Sequence, residues 1–591
     1  VMHRDGAAGY RFGAVAHHYV LDHEGIGRRA VGEFDLRFCR HRARLMDGTH
    51  SWCGARETRG RTRALGQTGA MHPSDDVDVA VVGGGHNGLV AAAYLARAGL
   101  RVRLLERQDH VGGAAVSAEA FSGVAARLSR YSYLVSLFPR RILDDLGVPL
   151  ELVRRRYSSY TPDPSTAGRT GLLIGPRSTF AAIGAQADAD GFADFYRRTR
   201  LVTEALWPSL TEPLPTRAQA RARVLAGGVA EAAGAWADIV ETPIGAAINA
   251  AVDHDLVRGV LATDALIGTF ARTDDESLRQ NICFLYHLLG NGTGDWDVPV
   301  GGMGALTTGL AAAARRLGAE IQTGTDVFAI TPDGEVSYRH GDDEHRLRAR
   351  TVLAGVTPVV LAELLGESAP PFVQGAQIKV NLMLRRLPRL RDGAVTPEQA
   401  FGGTFHINET LTQLDHAHAQ ALAGRIPSPL PCEIYCHSLA DPSILSPQLR
   451  AAGAQTLTVF GLHTPHALVS DGDHDRMRGA LTDAVLGSLD SVLAEPIRDV
   501  ILHDADGTPC VEAKTTLDLE NTLRMTAGNI FHGALQWPFA EAGTPLDTPA
   551  QRWGVQTEHE RILLCGSGSR RGGAVSGIGG HNAAMAVLAK T

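Results

Sequence analysis

The 591-residue chain has only seven cysteines, at positions 39, 53, 283, 432, 436, 510 and 565. None stands in a C-x-x-C pair, which excludes a thioredoxin-type redox couple and leaves no framework for a disulfide scaffold. Basic residues are not in excess either: 57 Lys and Arg against 64 Asp and Glu give a formal charge of −7. Nucleic acids and anionic membranes are bound by a cation surplus that displaces counterions, and no such surplus exists here. The longest uncharged stretches, 451–470 and 572–589, are broken by Gly, Pro, His or Gln. Neither supplies the ~20 predominantly apolar residues of a spanning helix, so no transmembrane segment is expected. Lysine is almost missing, with Lys379, Lys514 and Lys590 set against 54 arginines.

What the chain has in surplus is glycine, 66 residues. Gly and Pro together stay below the ~25–30% of low-complexity sequence, so the glycines are read as local devices. Residues 1–70 hold twelve Arg, no Lys, seven acids and one Ser, without sustained apolar periodicity. They are expected to be a disordered or non-native extension: a transit peptide is Ser-rich and acid-poor, and Met71 is a natural start. The remainder divides into five expected segments. Residues 76–150, 296–360 and 546–591 read as three pieces of one dinucleotide-binding domain. Residues 151–295 read as the helical part of a substrate domain, with Phe192, Phe195, Tyr196, Val202 and Leu206 at helical spacing. Residues 361–545 read as its sheet, with Val380, Leu382 and Leu384 alternating against Lys379, Asn381 and Met383.

The strongest local signal is Val79-Ala80-Val81-Val82-Gly83-Gly84-Gly85-His86-Asn87-Gly88. A short apolar strand runs into a glycine turn and then an Ala-rich helix. Gly83 permits the turn, Gly85 lets backbone approach a pyrophosphate, and Gly88 lets the helix pack on the sheet. The helix N-terminus then presents free N–H groups to phosphate. Glu106 ends the second strand, 18 residues past Gly88, where a carboxylate accepts from ribose hydroxyls and disfavours a 2′-phosphate. This context makes the fingerprint a dinucleotide site, with FAD and NAD(P) both open.

Glu106-Arg107-Gln108-Asp109-His110-Val111-Gly112-Gly113 resembles the E-R-x-x-x-x-G-G extension of FAD-binding amine oxidases and carotenoid desaturases. Val300-Gly301-Gly302-Met303-Gly304 and the C-terminal Leu564-Cys565-Gly566-Ser567-Gly568, continuing through Gly572 to Ala584, are similar to the same superfamily. Gly402-Gly403-Thr404-Phe405-His406, Asp441-Pro442-Ser443 and Gly528-Asn529-Ile530-Phe531-His532-Gly533 narrow the resemblance. They resemble the phytoene dehydrogenase-related family of pyridine nucleotide-disulphide oxidoreductase domain-containing protein 2, over about residues 76–588. The resemblance implies an α/β fold: a Rossmann-like FAD-binding domain built from discontinuous segments, with an α+β substrate domain of mixed sheet and helices. It implies FAD held by Gly83, Gly85, His86, Asn87, Gly88, Glu106, Arg107, Gly112 and Gly113, by the Val327 backbone, and by Gly566, Ser567, Gly577 and Ile578. Ser567 stands where many relatives carry Asp. Disulfide chemistry, despite the family's name, has no suitably spaced cysteines here.

Flavin itself accepts the hydride, so a protein base is optional. His406 and His532, in the family-like segments, and Lys379 are the candidate catalytic side chains; His287, His437 and His581 are further titratable candidates. Cys432, Cys436 and His437 read as packing, and no metal is expected. The expected function is an FAD-dependent oxidoreductase passing a hydride from an apolar or amphipathic small molecule to flavin N5, with oxygen, a quinone or another electron acceptor. A redox-neutral flavin-dependent isomerase and a regulatory flavoprotein are the alternatives. Composition typical of a high-GC bacterium points to the cytoplasm, or to mitochondria in a eukaryote, and a lipid substrate would permit peripheral membrane contact.

Overall fold

A computed structural model describes residues 76–290 and 294–590. The expected extension at 1–70 lies outside the described residues. Among those described, the strands form two seven-stranded sheets and two short two-stranded ones, with helices between them. No helix of the described residues is long and apolar enough to cross a membrane.

The first sheet has a parallel core. Asp76–Val82 lies between Val102–Leu105 and the distal half of Asp343–Ala354, and Ile562–Leu564 pairs with the far side of that last strand. Near-continuous apolar strands are what a sheet covered on both faces requires. The twelve-residue strand Asp343–Ala354 changes character along its length. Its first four residues are exposed, its first half pairs antiparallel with Glu335–His340, and its last three residues are buried in the parallel core. Val82, Leu105, Ala354 and Leu564 are aligned in register, so the four strands end at one edge.

Over this sheet lies the helix His86–Arg97, buried on every side through Ala96, with Met303–Arg316 and Ile578–Leu588 against it. Two glycines set these spacings. A Cβ on Gly88 would stand 2.1 Å from the Gly83 carbonyl oxygen, and one on Gly580 would stand 2.0 Å from that of Asn87. Any side chain at either position forces the backbones apart.

The second sheet runs in the order Val511–Lys514, Gln377–Leu384, Gln455–Leu462, Cys432–Tyr435, Thr404–Ile407, Ser159–Pro162, Gly171–Ile174. The last two strands fall inside segment 151–295, expected to be helical. They are four residues each and buried throughout, too short to show any alternation. The helical part of that segment begins at Asp188–Leu206, which buries Phe192, Phe195, Val202 and Leu206 as its spacing predicts. Within 361–545, read as the sheet, the helix Leu411–Leu422 intervenes. The alternation read at 379–384 also fails as a face assignment: all eight residues of Gln377–Leu384 are buried. One side packs into an apolar core and the other is covered by the rest of the molecule.

Candidate active site

The aligned strand ends place Gly83, Glu106, Gly355 and Gly566 side by side, and a cavity of about 270 Å³ opens over them. Ligands of open α/β sheets bind at this edge, beyond the carboxyl ends of the strands. The Glu106 carboxylate is fixed from both oxygens: Gly84 N–H donates to Oε2 at 2.6 Å and Gln108 N–H to Oε1 at 2.8 Å. Its remaining lone pairs are free to accept hydroxyl donors. Gly112 N–H donates to the Gly84 carbonyl at 2.9 Å, which binds the second glycine pair to the first turn.

The helix that follows has Gly85 as its cap, with no side-chain hydrogen bond to the first-turn N–H groups and no acid among them. Its positive end is therefore left to an anion. A Cβ on Gly85 would meet only the Gly113 Cα at 4.0 Å, so the approach to the turn is open. Asn87 ties the pieces together. Its Nδ2 lies 3.3 Å from Ser567 Oγ, and its Oδ1 accepts from Gly580 N–H at 3.3 Å. An open glycine cradle, an uncapped helix end and a fixed carboxylate fit the pyrophosphate and ribose of a dinucleotide.

Deeper in, Lys379 is 5% exposed and donates to the carbonyls of Ser129 at 2.6 Å and Tyr131 at 2.7 Å, with Tyr133 under its Nζ at 5.2 Å. Burial holds its amine well below the usual lysine range. His287 stacks on Trp296 with centroids 5.2 Å apart, and burial lowers it to about 4. His86 is lowered to about 3 by burial and then by the neighbouring His532. His532 is itself lowered to about 4 by burial, its Nδ1 is buried without a partner, and its φ is +63°. A left-handed non-glycine residue beside an unsatisfied nitrogen is backbone strain held in place at a cavity wall.

Of the residues singled out by sequence, Gly83, Gly85, His86, Asn87, Gly88, Glu106, Arg107, Gly113, Val327, Lys379, His532, Gly566 and Ser567 line this one cavity. Gly112, Gly577 and Ile578 do not. A Cβ on Gly577 would stand 2.7 Å from the Phe138 ring, and Ile578 is fully buried in the helical core. His406 is elsewhere too, on a smaller cavity of about 80 Å³. Tyr131, Tyr133, Trp296 and Leu535 line the main cavity with no motif to announce them. The five described cysteines are buried and free.

Residues 81–141 match the NAD(P)-binding Rossmann-like domain family. An uncharacterized protein of Mycobacterium tuberculosis is 67% identical over 522 residues, covering 87% of this chain and 97% of that protein. Pyridine nucleotide-disulfide oxidoreductase domain-containing protein 2 of Mus musculus is 30% identical over 575 residues, covering 88% of this chain and 95% of the mouse protein. Among solved structures, a variant of putrescine oxidase from a redesign of its cofactor binding superposes with a TM-score of 0.52. It is 15% identical and covers 87% of this chain and 99% of that one. The Rossmann-like domain with an α+β substrate domain is thus the fold expected from the sequence. By these likenesses the chain belongs to the family of pyridine nucleotide-disulfide oxidoreductase domain-containing protein 2.

Proposed function

We propose that this chain is an FAD-dependent oxidoreductase that removes a hydride from an apolar or amphipathic small molecule. One observation carries the reading: the cavity that starts at the glycine turn and Glu106 continues without a break to a wall of Tyr133, Leu134, Phe460, Ile530, Phe531 and Leu535. Bound FAD supplies the two-electron acceptor. The chain's own groups do the rest. Glu106 accepts from ribose hydroxyls, the uncapped end of His86–Arg97 holds phosphate, and Ser567 and Asn87 offer hydrogen bonds at the junction between them.

The apolar wall binds the substrate and keeps water from the reacting carbon. A carbon that loses a hydride is left electron-poor and is relieved by losing a proton. The His532 imidazole, held neutral by burial, and the Lys379 amine, held by burial well below the usual lysine range, are the bases on this wall. Oxygen, a quinone or another small oxidant then takes the electrons.

The test is to purify the chain, release any chromophore by heat and identify it by chromatography. FAD is expected, and Gly85→Asp, which sets a carboxylate against the phosphate site, should purify without it. Colourless wild-type protein that binds NADH instead would refute the reading.

A further inference from the structure

The second sheet carries a row of facing residues from strand to strand: Lys379 opposite Phe460, Phe460 opposite Glu433, Glu433 opposite His406. Lys379 and Phe460 belong to the large cavity; Glu433 and His406 line the smaller one. Two strand spacings, about 10 Å, separate Lys379 from Glu433. Beside the row, after the left-handed residue Asn408 (φ +59°), comes Glu409. Ligand atoms of His406, Glu409 and Glu433 all lie within 4.8 Å of one another, and the three residues are 4%, 1% and 1% exposed.

The polar bookkeeping at this point does not close with protein groups alone. Thr263 Oγ1 lies 2.8 Å from Glu409 Oε2 and 2.8 Å from Glu433 Oε1, yet a hydroxyl has one proton to donate. Glu409 Oε1 is buried and has no partner. Glu433 Oε2 accepts only from the Tyr435 hydroxyl, at 2.8 Å. Among the described residues neither carboxylate has an ion-pair partner. Arg155, which lines the same small cavity, donates instead to the Trp296 carbonyl at 3.1 Å and the Thr404 hydroxyl at 2.8 Å. Asp264 and Arg200 line the same cavity. A buried carboxylate is costly unless it is paired or coordinates a metal.

We propose that His406, Glu409 and Glu433 form a divalent-metal site, separate from the dinucleotide cavity, that clamps the helical layer onto the substrate-domain sheet. One imidazole and two carboxylates suit Zn²⁺, Mn²⁺ or Fe²⁺. Ligands of an octahedral ion with ~2.1 Å bonds stand ~3.0 Å apart when adjacent and ~4.2 Å apart when opposite, so three atoms within 4.8 Å of one another draw in around the ion when it binds. The cavity of about 80 Å³ exceeds the ~10–15 Å³ that one water requires, which leaves room for water ligands. The Thr263 hydroxyl would orient one of the two carboxylates from outside the ligand set. The clamp joins Thr263 of the helical layer to the strands Thr404–Ile407 and Cys432–Tyr435. The helix Asp255–Ala262 already presses on the same loop: a Cβ on Gly259 would be 1.7 Å from the Glu409 carbonyl oxygen.

The test does not depend on flavin. The full chain is stripped with EDTA, dialysed against MnCl2 or ZnCl2, freed of loose ions by gel filtration and assayed for metal by mass spectrometry. Wild type should retain one ion per chain and gain thermal stability from it, whereas Glu409→Gln, nearly isosteric, should retain none and gain nothing. Thr263→Val should weaken binding by about 10–100-fold. For the Mn²⁺-loaded wild type, electron spin-echo spectra should show coupling to one imidazole nitrogen, a result that needs no variant to fold. Wild type that retains no ion, or an ion without nitrogen coupling that Glu409→Gln retains equally, would overturn the proposal. In the first case the carboxyl pair shares a proton instead, and Glu409→Gln would be as stable as wild type.

Discussion

At Lys379 two N–H donors are spent on the carbonyls of Ser129 and Tyr131. The remaining position on Nζ belongs to a residue that lines the cavity. That arrangement suits the ordering of a water used when reduced flavin meets oxygen. Lys379→Met, which keeps the stem and loses the nitrogen, should retain flavin but slow reoxidation of the chemically reduced protein by about 100-fold, the lower end for a positioned proton-transfer group. Stopped-flow absorbance measures the rate, and an unchanged rate would make Lys379 a packing residue. Nothing near residue 379 in the chain announces this, because its partners come from 129–133, some 250 positions away. Glu106 is the opposite case. Its partners, Gly84 and Gln108, lie within 22 positions, and the spacing of the fingerprint was enough to find it. His406 shows how a family-like segment can mislead. Strand register puts it opposite Glu433, over a different cavity from His532.

Among elements, Asp76–Val82, the helix His86–Arg97 and Val102–Leu105 were legible to within a few residues, from an apolar run, a glycine turn and an Ala-rich stretch in sequence. Caps are as local as runs. Thr357 closes the turn after Gly355 by accepting from Val360 N–H at 3.2 Å, with Pro358 as the first helical residue, and it shares a 2.7 Å hydrogen bond with Thr526. Thr357→Ala should therefore lower unfolding free energy by about 1–2 kcal/mol, with the denaturant slope unchanged. Urea titration followed by circular dichroism checks it, and a loss near zero would mean the helix end is held by its tertiary contacts alone. The substrate-domain sheet was harder to read. Gln377–Leu384 is buried along its whole length, so period-2 alternation carries no face information, and Ser159–Pro162 joins the sheet through a parallel pairing with a strand 245 residues on.

For the whole molecule, burial holds His86, His406, His437 and His463 at about 3 and His287, His532 and His581 at about 4. In the unfolded chain each would titrate near ~6.5. Between those values the unfolded state binds more protons than the folded one, so stability is fully present above pH ~6.5 and is lost as pH falls toward 4. Burial acts oppositely on Asp264 and Glu433, raised to about 7, on Glu409, raised well above the usual range, and on Asp415; these four groups offset part of the effect. Seven imidazoles against four carboxyls still leave a net loss on acidification. The urea midpoint should fall steadily from pH 7 to 4.5, and a rise over that range would contradict the assignment of these histidines as neutral. The sequence by itself determined the Rossmann-like half of the molecule and the dinucleotide cradle, because a glycine turn, a helix end and an acid one strand away are short-range features whose geometry the local chain dictates. Only the tertiary structure decided which histidines face which cavity, that Lys379 is stripped of water, and that His406, Glu409 and Glu433 meet under Thr263. Those facts depend on strand register and burial, where residues up to 250 positions apart fix one another's surroundings.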